Sequence, residues 1–442
     1  MPISEHELMT FQRVKDLLGD VEGGMTVKST GPLAEALGQL GCFPYLEIPC
    51  KSFNLQCKFS IGGKPAGTFK KPDVDLILQE SAASSFGRGE TTVMDPTYRS
   101  GKEISAQNMD IAPTYFSDTA EEGISASMFL GKSVKVKFYK LAVYEEGGHF
   151  DWHMDTTHSD QHHATLLLAL NTSWEGGDLK LRRNGVEALV DMHPKVEHNG
   201  SGIDLQAVAF YTDTEHKVEP VTKGIRIVLQ YDVEVVGWGS ALAPNEMDDD
   251  EDEEQNELFY YMGDICRKRR PYQESSGSLT VDNAIVTKVI NIIASELTDG
   301  RKEVGLAMQH LYRKSSILPE FLKGADAQLY HALLSSFVVT LHPVVLHSCT
   351  DIDGHSAPYL AITWDDDDSS YFDLESNTGS KDDDDSDSET ESQPVVFHLP
   401  LLSAIEQISY REYIEHTGNE AQPGETKYFG GGMFVRKKKA AK

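Results

Sequence analysis

Two stretches of the sequence decide the fold: residues 137–158, KFYKLAVYEEGGHFDWHMDTTH, and residues 207–233, AVAFYTDTEHKVEPVTKGIRIVLQYDV. In the first stretch His153 and Asp155 lie two residues apart, so on an extended strand or at its end their side chains project to the same side. An imidazole and a carboxylate placed in this way are able to bind the same metal ion. The pair therefore predicts part of a metal site.

The second stretch supplies a further ligand. His216 opens a strand-like run, and a short turn at Thr222, Lys223 and Gly224 joins this run to an apolar strand with Arg226 near its start. We expect this hairpin to bring Arg226 close to His216. Two histidines and one carboxylate leave the other coordination positions of a metal open, which is the facial arrangement of non-haem Fe(II) sites.

Further landmarks accompany this triad in a recognisable order. A tyrosine, a glycine and an aromatic residue precede the first histidine, and an apolar strand and a Glu-Gly-Gly-Asp-Leu run follow the aspartate. The landmarks are Tyr144, Gly147, Phe150, His153, Asp155, the strand 164–171, the run 175–179, His216, Pro220, Val221, Gly224 and Arg226. Over residues 75–236 they resemble the prolyl-4-hydroxylase-like group of 2-oxoglutarate- and Fe(II)-dependent dioxygenases.

The resemblance implies a double-stranded β-helix, or jelly-roll, and a catalytic set of four residues. His153, Asp155 and His216 would bind Fe(2+), Arg226 would pair with the far carboxylate of 2-oxoglutarate, and Tyr144 would donate its hydroxyl to the same carboxylate. L-ascorbate would keep the iron reduced. The implied reaction is hydroxylation of a C–H bond on a protein side chain such as proline, with release of succinate and CO2. A small-molecule substrate stays open, and so does a non-catalytic, iron-binding sensor or scaffold that acts through the C-terminal half and its acidic tracts.

A chain of 442 residues is longer than one hydrophobic core usually supports, so two domains are expected. The predicted fold class is α+β, with a jelly-roll catalytic domain followed by a helix-rich α+β C-terminal domain. The predicted division is an N-terminal extension (1–30), the dioxygenase domain (31–238, core 134–236), an acidic linker (239–256), the helix-rich domain (257–364), an acidic disordered tract (365–393) and a C-terminal segment with a basic tail (394–442).

Apolar periodicity predicts the elements of the C-terminal half. A helical period runs over residues 284–297 and again over residues 304–312. Residues 337–341 and 344–346 have the composition of strands, and residues 428–435 are placed on one further strand. This half has no second His-x-Asp triplet with a distal histidine, so we assign no chemistry to it.

Composition limits the partners and the compartment. The formal net charge of -30 opposes binding to nucleic acid and to anionic lipid, and it favours a basic protein as charged partner. Five cysteines without a Cys-x-x-Cys pair fit neither a disulfide framework nor a cysteine zinc site, so a reducing, cytoplasmic location is expected. No apolar run reaches the ~18 residues of a membrane span. The basic residues 436–439 are compatible with nuclear import or with a solvated tail.

Four other histidines and one arginine are further candidates for site residues. His158 and His162 would bind zinc if they lay on a helix, but no glutamate base stands between them, and we interpret the segment as a loop over the mouth of the site. His193 and His198 are interpreted as exposed loop histidines. The turn 95–99, which contains Arg99, is a candidate for the edge of the substrate site.

Overall fold

The computed structural model describes residues 25–28, 30–40, 45–50, 57–112, 115–183, 186–196, 202–237, 283–299, 301–350, 356–362, 395–399, 417–422 and 427–438. The predicted acidic linker and acidic tract lie outside these residues, as do most of the N-terminal extension and His198. Within the described ranges, no helix is long and apolar enough to cross a membrane.

The helices in the described part of the chain lie on either side of the predicted linker. The α-helices are α1 (Pro32–Leu40), α2 (Val74–Glu80), α3 (Tyr115–Met128), α4 (Asn283–Thr298) and α5 (Gly324–Leu334), and short 3-10 helices cover Ala106–Asn108, Lys314–Ser316 and Pro319–Phe321. Helix α4 follows the predicted period, because Val286, Val289, Ile293 and Leu297 recur on one face and are buried.

Strands make up most of the described chain. In the N-terminal half they are β1 (Thr26–Lys28), β2 (Tyr45–Cys50), β3 (Lys58–Ile61), β4 (Lys64–Thr68), β5 (Lys71–Pro72), β6 (Ala82–Ala83), β7 (Phe86–Arg88), β8 (Thr91–Val93), β9 (Arg99–Ser100), β10 (Lys102–Ser105), β11 (Met109–Ile111), β12 (Ser133–Tyr144), β13 (His149–His153), β14 (His162–Ala169), β15 (Trp174–Gly176), β16 (Leu179–Arg183), β17 (Val186–Val190), β18 (Lys195–Val196), β19 (Ile203–Tyr211), β20 (Glu215–Val218), β21 (Val221–Gly224) and β22 (Arg226–Gly237). In the C-terminal half they are β23 (Glu303–Ala307), β24 (Tyr312–Arg313), β25 (Phe337–Thr350), β26 (Ser356–Ile362), β27 (Val396–His398), β28 (Thr417–Gly418) and β29 (Tyr428–Lys437).

The larger sheet of the barrel has the apolar strands β14 and β22 at its centre. Its strand order is β18-β19-β14-β22-β12-β10-β6, with β2 beside β19. Every residue of β14 is buried, as expected for a central strand covered on both faces. One face packs on Ile77 of α2 and on Ala120 and Ile124 of α3, and the other face turns towards a second sheet.

The second sheet of the barrel has five strands in the order β17-β16-β20-β13-β9. Phe150 and Val218 of this sheet share a core with Leu167 and Val228 of the larger sheet. Two antiparallel sheets that face each other across one core form a jelly-roll, so the predicted double-stranded β-helix and the α+β class are confirmed.

The predicted hairpin between His216 and Arg226 is wrong. Residues 222–224 belong to strand β21, which pairs with β15, whereas β20 pairs with β13 and β16. Pro220 has no N–H with which to continue the ladder of β20, and the chain crosses there towards the other sheet. His216 therefore lies in the smaller sheet and Arg226 in the larger, and the two face each other across the barrel.

The C-terminal half adds a further sheet in the order β1-β27-β23-β29-β25-β26, with β24 beside β29. Strands β25 and β29 lie where strands were predicted. The predicted helix over residues 304–312 is wrong, because β23 occupies its start between β27 and β29. The larger apolar residues Val304, Leu306 and Met308 recur at every second position, so they satisfy the alternation of a strand, and every residue of β23 is buried.

Helix α1 packs on this C-terminal sheet and not on the barrel. Its residues Leu33 and Leu37 share a core with Ile293 of α4 and Val435 of β29. The predicted dioxygenase domain begins at residue 31, so this helix lies outside the core in which that boundary would place it. The division of the chain into domains stays a prediction.

A buried cluster of charges joins the two halves. Asp213, which follows β19, lies 2.9 Å from Nζ of Lys323, 3.0 Å from Nη1 of Arg183 and 3.1 Å from Nδ1 of His310. All four side chains are buried. Of these four residues, Asp213 and Arg183 come from the barrel side and Lys323 and His310 from the C-terminal half, so the halves meet through buried polar contacts that include two ion pairs.

Candidate metal centre

Three of the predicted residues meet at the open side of the smaller sheet. His153, the last residue of β13, lies directly opposite His216 of β20 in the strand register. Asp155 lies just beyond β13, and its Oδ1 is 3.7 Å from Nε2 of His216. One ligand atom from each of the three lies within 4.8 Å of the other two, and all three side chains are buried. Adjacent antiparallel strands thus bring together two histidines separated by a long stretch of sequence.

Backbone carbonyls set which nitrogen of each histidine faces the site. Nδ1 of His153 lies 2.8 Å from the carbonyl oxygen of Asp151, and Nδ1 of His216 lies 3.0 Å from that of Thr214. A carbonyl only accepts, so each Nδ1 carries the proton and each Nε2 keeps its lone pair. This is the usual arrangement around a histidine that binds a metal.

Asp155 is held from two sides. Its Oδ2 accepts a hydrogen bond from the hydroxyl of Thr165 on β14, which leaves Oδ1 for a metal. Its backbone carbonyl accepts a hydrogen bond of 2.8 Å from the hydroxyl of Tyr428 on β29. Neither partner was identified from the sequence, because a lone threonine or tyrosine in an apolar strand carries no signal of such a role.

Arg226 is a buried cation that faces the same cavity. Its side chain is 1% exposed, its Nε has no hydrogen-bond partner, and its guanidinium lies 5.4 Å from the ring centre of Tyr144. Within the described residues it forms no ion pair, and burial lowers its pKa. A buried, unpaired guanidinium is costly unless an anion reaches it. Together with a facial His, His, carboxylate set, this arrangement fits a metal-bound dicarboxylate.

Gly177 makes room for this arginine. A Cβ atom at position 177 would lie 3.2 Å from Cδ of Arg226 and 2.9 Å from a methyl group of Val221. The residue also has a φ of +63°, a conformation that favours glycine. The Glu-Gly-Gly-Asp-Leu run thus contributes space beside the arginine.

The cavity between the two sheets holds all of these groups. Its volume is about 430 Å³ including the open mouth, and it is lined by Arg99, Ala142, Tyr144, Phe150, His153, Asp155, Leu167, Leu179, His216, Val218, Arg226, Val228, Gln230 and Asn419. The structure thus gathers His153, Asp155, His216, Arg226 and Tyr144 in one cavity. It also places Arg99 there, from the turn considered for the substrate edge.

His158, His162 and His193 are not among the residues that line this cavity. His162 begins strand β14, so the helix needed for a zinc pair is absent from the described chain, and its two ring nitrogens already meet the His158 N–H and the Ala164 carbonyl. His158 contacts Asp232 at 2.6 Å. His193 stacks on Trp174 at 4.5 Å and is partly exposed, in agreement with its interpretation as a loop histidine.

Residues 139–231 match the model of the 2OG-Fe(II) oxygenase superfamily. Among solved structures, a prolyl hydroxylase of Trichoplax adhaerens, in complex with a hypoxia inducible factor peptide fragment, is 19% identical over 37% of this chain and 74% of that one, with a TM-score of 0.26. A Pseudomonas putida prolyl-4-hydroxylase is 18% identical over 46% of this chain and 100% of that one, with a TM-score of 0.25. A comparison with curated proteins finds no match.

Proposed function

We propose that this chain is a hydroxylase that uses Fe(II), 2-oxoglutarate and dioxygen, because residues 139–231 match the model of the 2OG-Fe(II) oxygenase superfamily. Its substrate is a C–H bond on a protein side chain, with proline as the first candidate, and its co-products are succinate and CO2. The observation that carries the proposal is the presence, in one cavity, of a facial metal-binding set and a buried guanidinium that forms no ion pair with any described residue.

The residues have separate tasks in this proposal. Nε2 of His153, Nε2 of His216 and Oδ1 of Asp155 bind Fe(II), and the carbonyls of Asp151 and Thr214 keep the two imidazoles oriented. Arg226 pairs with the far carboxylate of 2-oxoglutarate through two parallel hydrogen bonds, for which a planar guanidinium is suited. Tyr144, beside that guanidinium, donates its hydroxyl to the same carboxylate.

The barrel also excludes water from the reacting groups. Phe150 stacks on His153 with ring centres 3.4 Å apart, and Leu167 and Val228 line the cavity from the larger sheet. When bound, the iron, 2-oxoglutarate and dioxygen supply the oxidation that converts a C–H bond to an alcohol. The protein binds and orients these reactants and excludes water from them. Ascorbate is proposed as the reductant that keeps the iron in the Fe(II) state.

A non-catalytic, iron-binding sensor is the second candidate. The extensive contact of the barrel with the C-terminal half, through the Asp213 cluster, favours a role in which that half reports on the metal site. The complete set of Arg226 and the three ligands favours catalysis, since a sensor of iron alone would need no buried guanidinium.

Succinate release by the purified full chain distinguishes the two. We expect 2-oxoglutarate to be converted slowly to succinate without any added substrate, only when Fe(II) and oxygen are both present, and ascorbate to prolong the turnover. The His216→Ala protein serves as the control and should release none. Absence of succinate at every iron concentration would favour the sensor.

A further inference from the structure

The C-terminal segment 417–422 lies against the metal centre, although the last barrel strand, β22, ends 180 residues earlier, at Gly237. Strand β28 pairs with β7, and Gly418 forms a bridge with Met154, next to the ligand Asp155. The N–H of Met154 donates to the carbonyl of Thr417 at 3.1 Å. On the other side of Asp155, the N–H of Thr156 donates to Oδ1 of Asn419 at 2.8 Å. The segment therefore holds both neighbours of a metal ligand.

Asn419 has a second polar atom that nothing in the described chain uses. Its side chain is 3% exposed and lines the cavity, and its Nδ2 is buried without a hydrogen-bond partner. Because Oδ1 accepts from a backbone N–H, the orientation of the amide is defined and the unpartnered atom is the donor. A buried donor without an acceptor costs about 1–3 kcal/mol, so an oxygen atom of a ligand is the expected partner.

The position of Asn419 separates it from the residues assigned to 2-oxoglutarate. Asp155 is bonded to Thr165, which lies opposite Asp232 on β22. Asp232 stands six residues beyond Arg226 on β22, so the two side chains leave that strand at separate points. Asn419, bonded next to Asp155, therefore lines the cavity beside the metal ligands, whereas Arg226 lines it from another position along β22.

A second buried donor accompanies Asn419. The guanidinium of Arg99 donates to the backbone carbonyl of Asn419 at 3.3 Å, is 4% exposed, and has an Nε without a partner. This end of the cavity therefore offers donors. A prolyl residue has no backbone N–H, so the polar atoms that its peptide presents near the ring are carbonyl oxygens, which require donors.

We propose that Asn419 binds the substrate by donating its Nδ2–H to a backbone carbonyl oxygen of the peptide that carries the target side chain. This proposal deepens the proposed function and rests on it. The C-terminal half would then take part directly in substrate selection. The Nδ2 atom of Asn419 would bind the substrate, while its Oδ1 atom holds the turn that follows Asp155.

Two substitutions separate the two atoms of this amide. Asn419→Asp keeps an acceptor for the Thr156 N–H but replaces the donor by a second acceptor, whereas Asn419→Ala removes both. If Asn419 only positioned the turn, the aspartate variant would behave like the wild type. Asn108→Asp is the matched control, since Asn108 is exposed and lies outside the cavity.

The measurement uses the full chain with Fe(II), 2-oxoglutarate and a degenerate library of short proline-containing peptides, and mass spectrometry counts peptides that gain one oxygen atom. We expect Asn419→Asp to lower this oxidation on the order of tenfold or more, the loss that follows from one buried donor. In Asn419→Asp, peptide oxidation should fall by a larger factor than substrate-free succinate release, whereas Asn108→Asp should match the wild type in peptide oxidation, iron affinity and succinate release. Asn419→Ala should lose peptide oxidation and iron affinity together.

Three results would overturn the proposal: equal peptide oxidation by Asn419→Asp and wild type, a raised requirement for 2-oxoglutarate in Asn419→Asp, or succinate release by the wild type with no peptide oxidised. Absence of succinate from the wild type would instead be a failure of the proposed function. In that case the role of Asn419 is decided by a binding assay. It measures how much of the same peptide library is retained by the protein loaded with Mn(II) and N-oxalylglycine, which do not support turnover. Retention reduced by Asn419→Asp supports the proposal, and equal or absent retention overturns it.

Discussion

The hydroxyl of Tyr428 donates a 2.8 Å hydrogen bond to the backbone carbonyl of Asp155, across 273 residues of sequence. Both groups are buried. Met154 also bonds to Thr417, and Thr156 to Asn419. Residues 154–156, which include the metal ligand Asp155, are therefore all held by residues from the C-terminal half. The metal centre is thus a product of both halves of the chain.

Tyr428→Phe should weaken iron binding. The substitution leaves a buried carbonyl without its donor, which costs about 1–3 kcal/mol, and partners behind a metal ligand typically contribute about 10- to 100-fold in affinity. Metal titration and urea unfolding measure the two effects. Tyr312→Phe is the control, because it also removes a buried tyrosine hydroxyl, one that donates to Asp326 and accepts from the Lys323 N–H. Equal iron affinity in both variants would contradict a role of Tyr428 in holding Asp155.

Arg226→Lys should separate the co-substrate from the metal. Lysine keeps the positive charge but loses the two parallel hydrogen bonds to a carboxylate, a loss on the order of 1.5–3 kcal/mol. The variant should bind iron normally and need roughly 10 to 100 times more 2-oxoglutarate. Binding titrations with each ligand test this, and unchanged affinity for 2-oxoglutarate would show that Arg226 has another role.

His158→Gln should lower stability in a pH-dependent way. Burial opposes the charge on His158, but hydrogen bonds to Asp232 and Glu420 outweigh it and raise the pKa of His158 to about 9. The unfolded value is about 6.5, so the stabilisation is complete below about pH 6.5 and is lost as the pH rises through about 9. We expect a difference from wild type of about 1–2 kcal/mol at low pH, reduced because Glu420 is partly exposed.

Urea unfolding of the His158→Gln protein between pH 6 and pH 10 checks this. Part of the difference in unfolding free energy should not depend on pH, because the ring of His158 also packs on Tyr139. A difference that stayed constant over the whole range would mean that His158 is not charged in the folded protein.

Asp213→Asn should destabilise the contact between the halves. Burial disfavours the charge of Asp213, but Lys323, Arg183 and His310 overcome this and hold its pKa well below the usual range. Removing the charge leaves buried cations uncompensated, which costs about 3–5 kcal/mol. This stabilisation is present above the unfolded pKa of about 3.9 and is lost as the pH falls through the folded pKa. The difference in unfolding free energy should be constant from neutral pH to about 5 and shrink at lower pH.

The isolated segment 31–238, which corresponds to the predicted dioxygenase domain, should bind iron poorly. It contains His153, Asp155, His216 and Arg226, but it lacks Tyr428 and the segment 417–422. Metal titration against the full chain tests the expectation. Equal iron affinity would show that the C-terminal contacts are dispensable for the metal centre.

The sequence predicted the parts of the site that follow from local spacing. His153 and Asp155 are two residues apart, and residues 166–169 form an unbroken apolar run in β14, so local spacing and strand geometry account for both features. The hairpin between His216 and Arg226 was predicted wrongly, because nothing local shows that the chain changes sheets at Pro220, although both residues do line the same cavity as expected. The apolar residues of 304–308 are compatible both with a helical period and with the alternation of a strand. Only the pairing of β23 with β27 and β29 shows that this stretch is a strand.

Asn419 and Tyr428 were not predictable in this way. Their contacts depend on the close approach of the C-terminal segment to β7, where a Cβ atom on Gly87 would lie 1.7 Å from the carbonyl oxygen of Glu420. No short-range pattern encodes a contact between residues so far apart in the chain. The absence of chemical motifs in the C-terminal half therefore gave no sign that this half completes the cavity.

The distance in sequence between Asp155 and Tyr428 also imposes an order on synthesis. A ribosome adds roughly 5–20 residues per second, so roughly 14–55 s pass between the translation of the two residues. During that interval a nascent barrel has its histidines and its aspartate but lacks the tyrosine that holds the aspartate turn. Stable loading with iron is therefore expected to follow the synthesis of Tyr428, and translation products truncated before this residue would carry an unfinished centre.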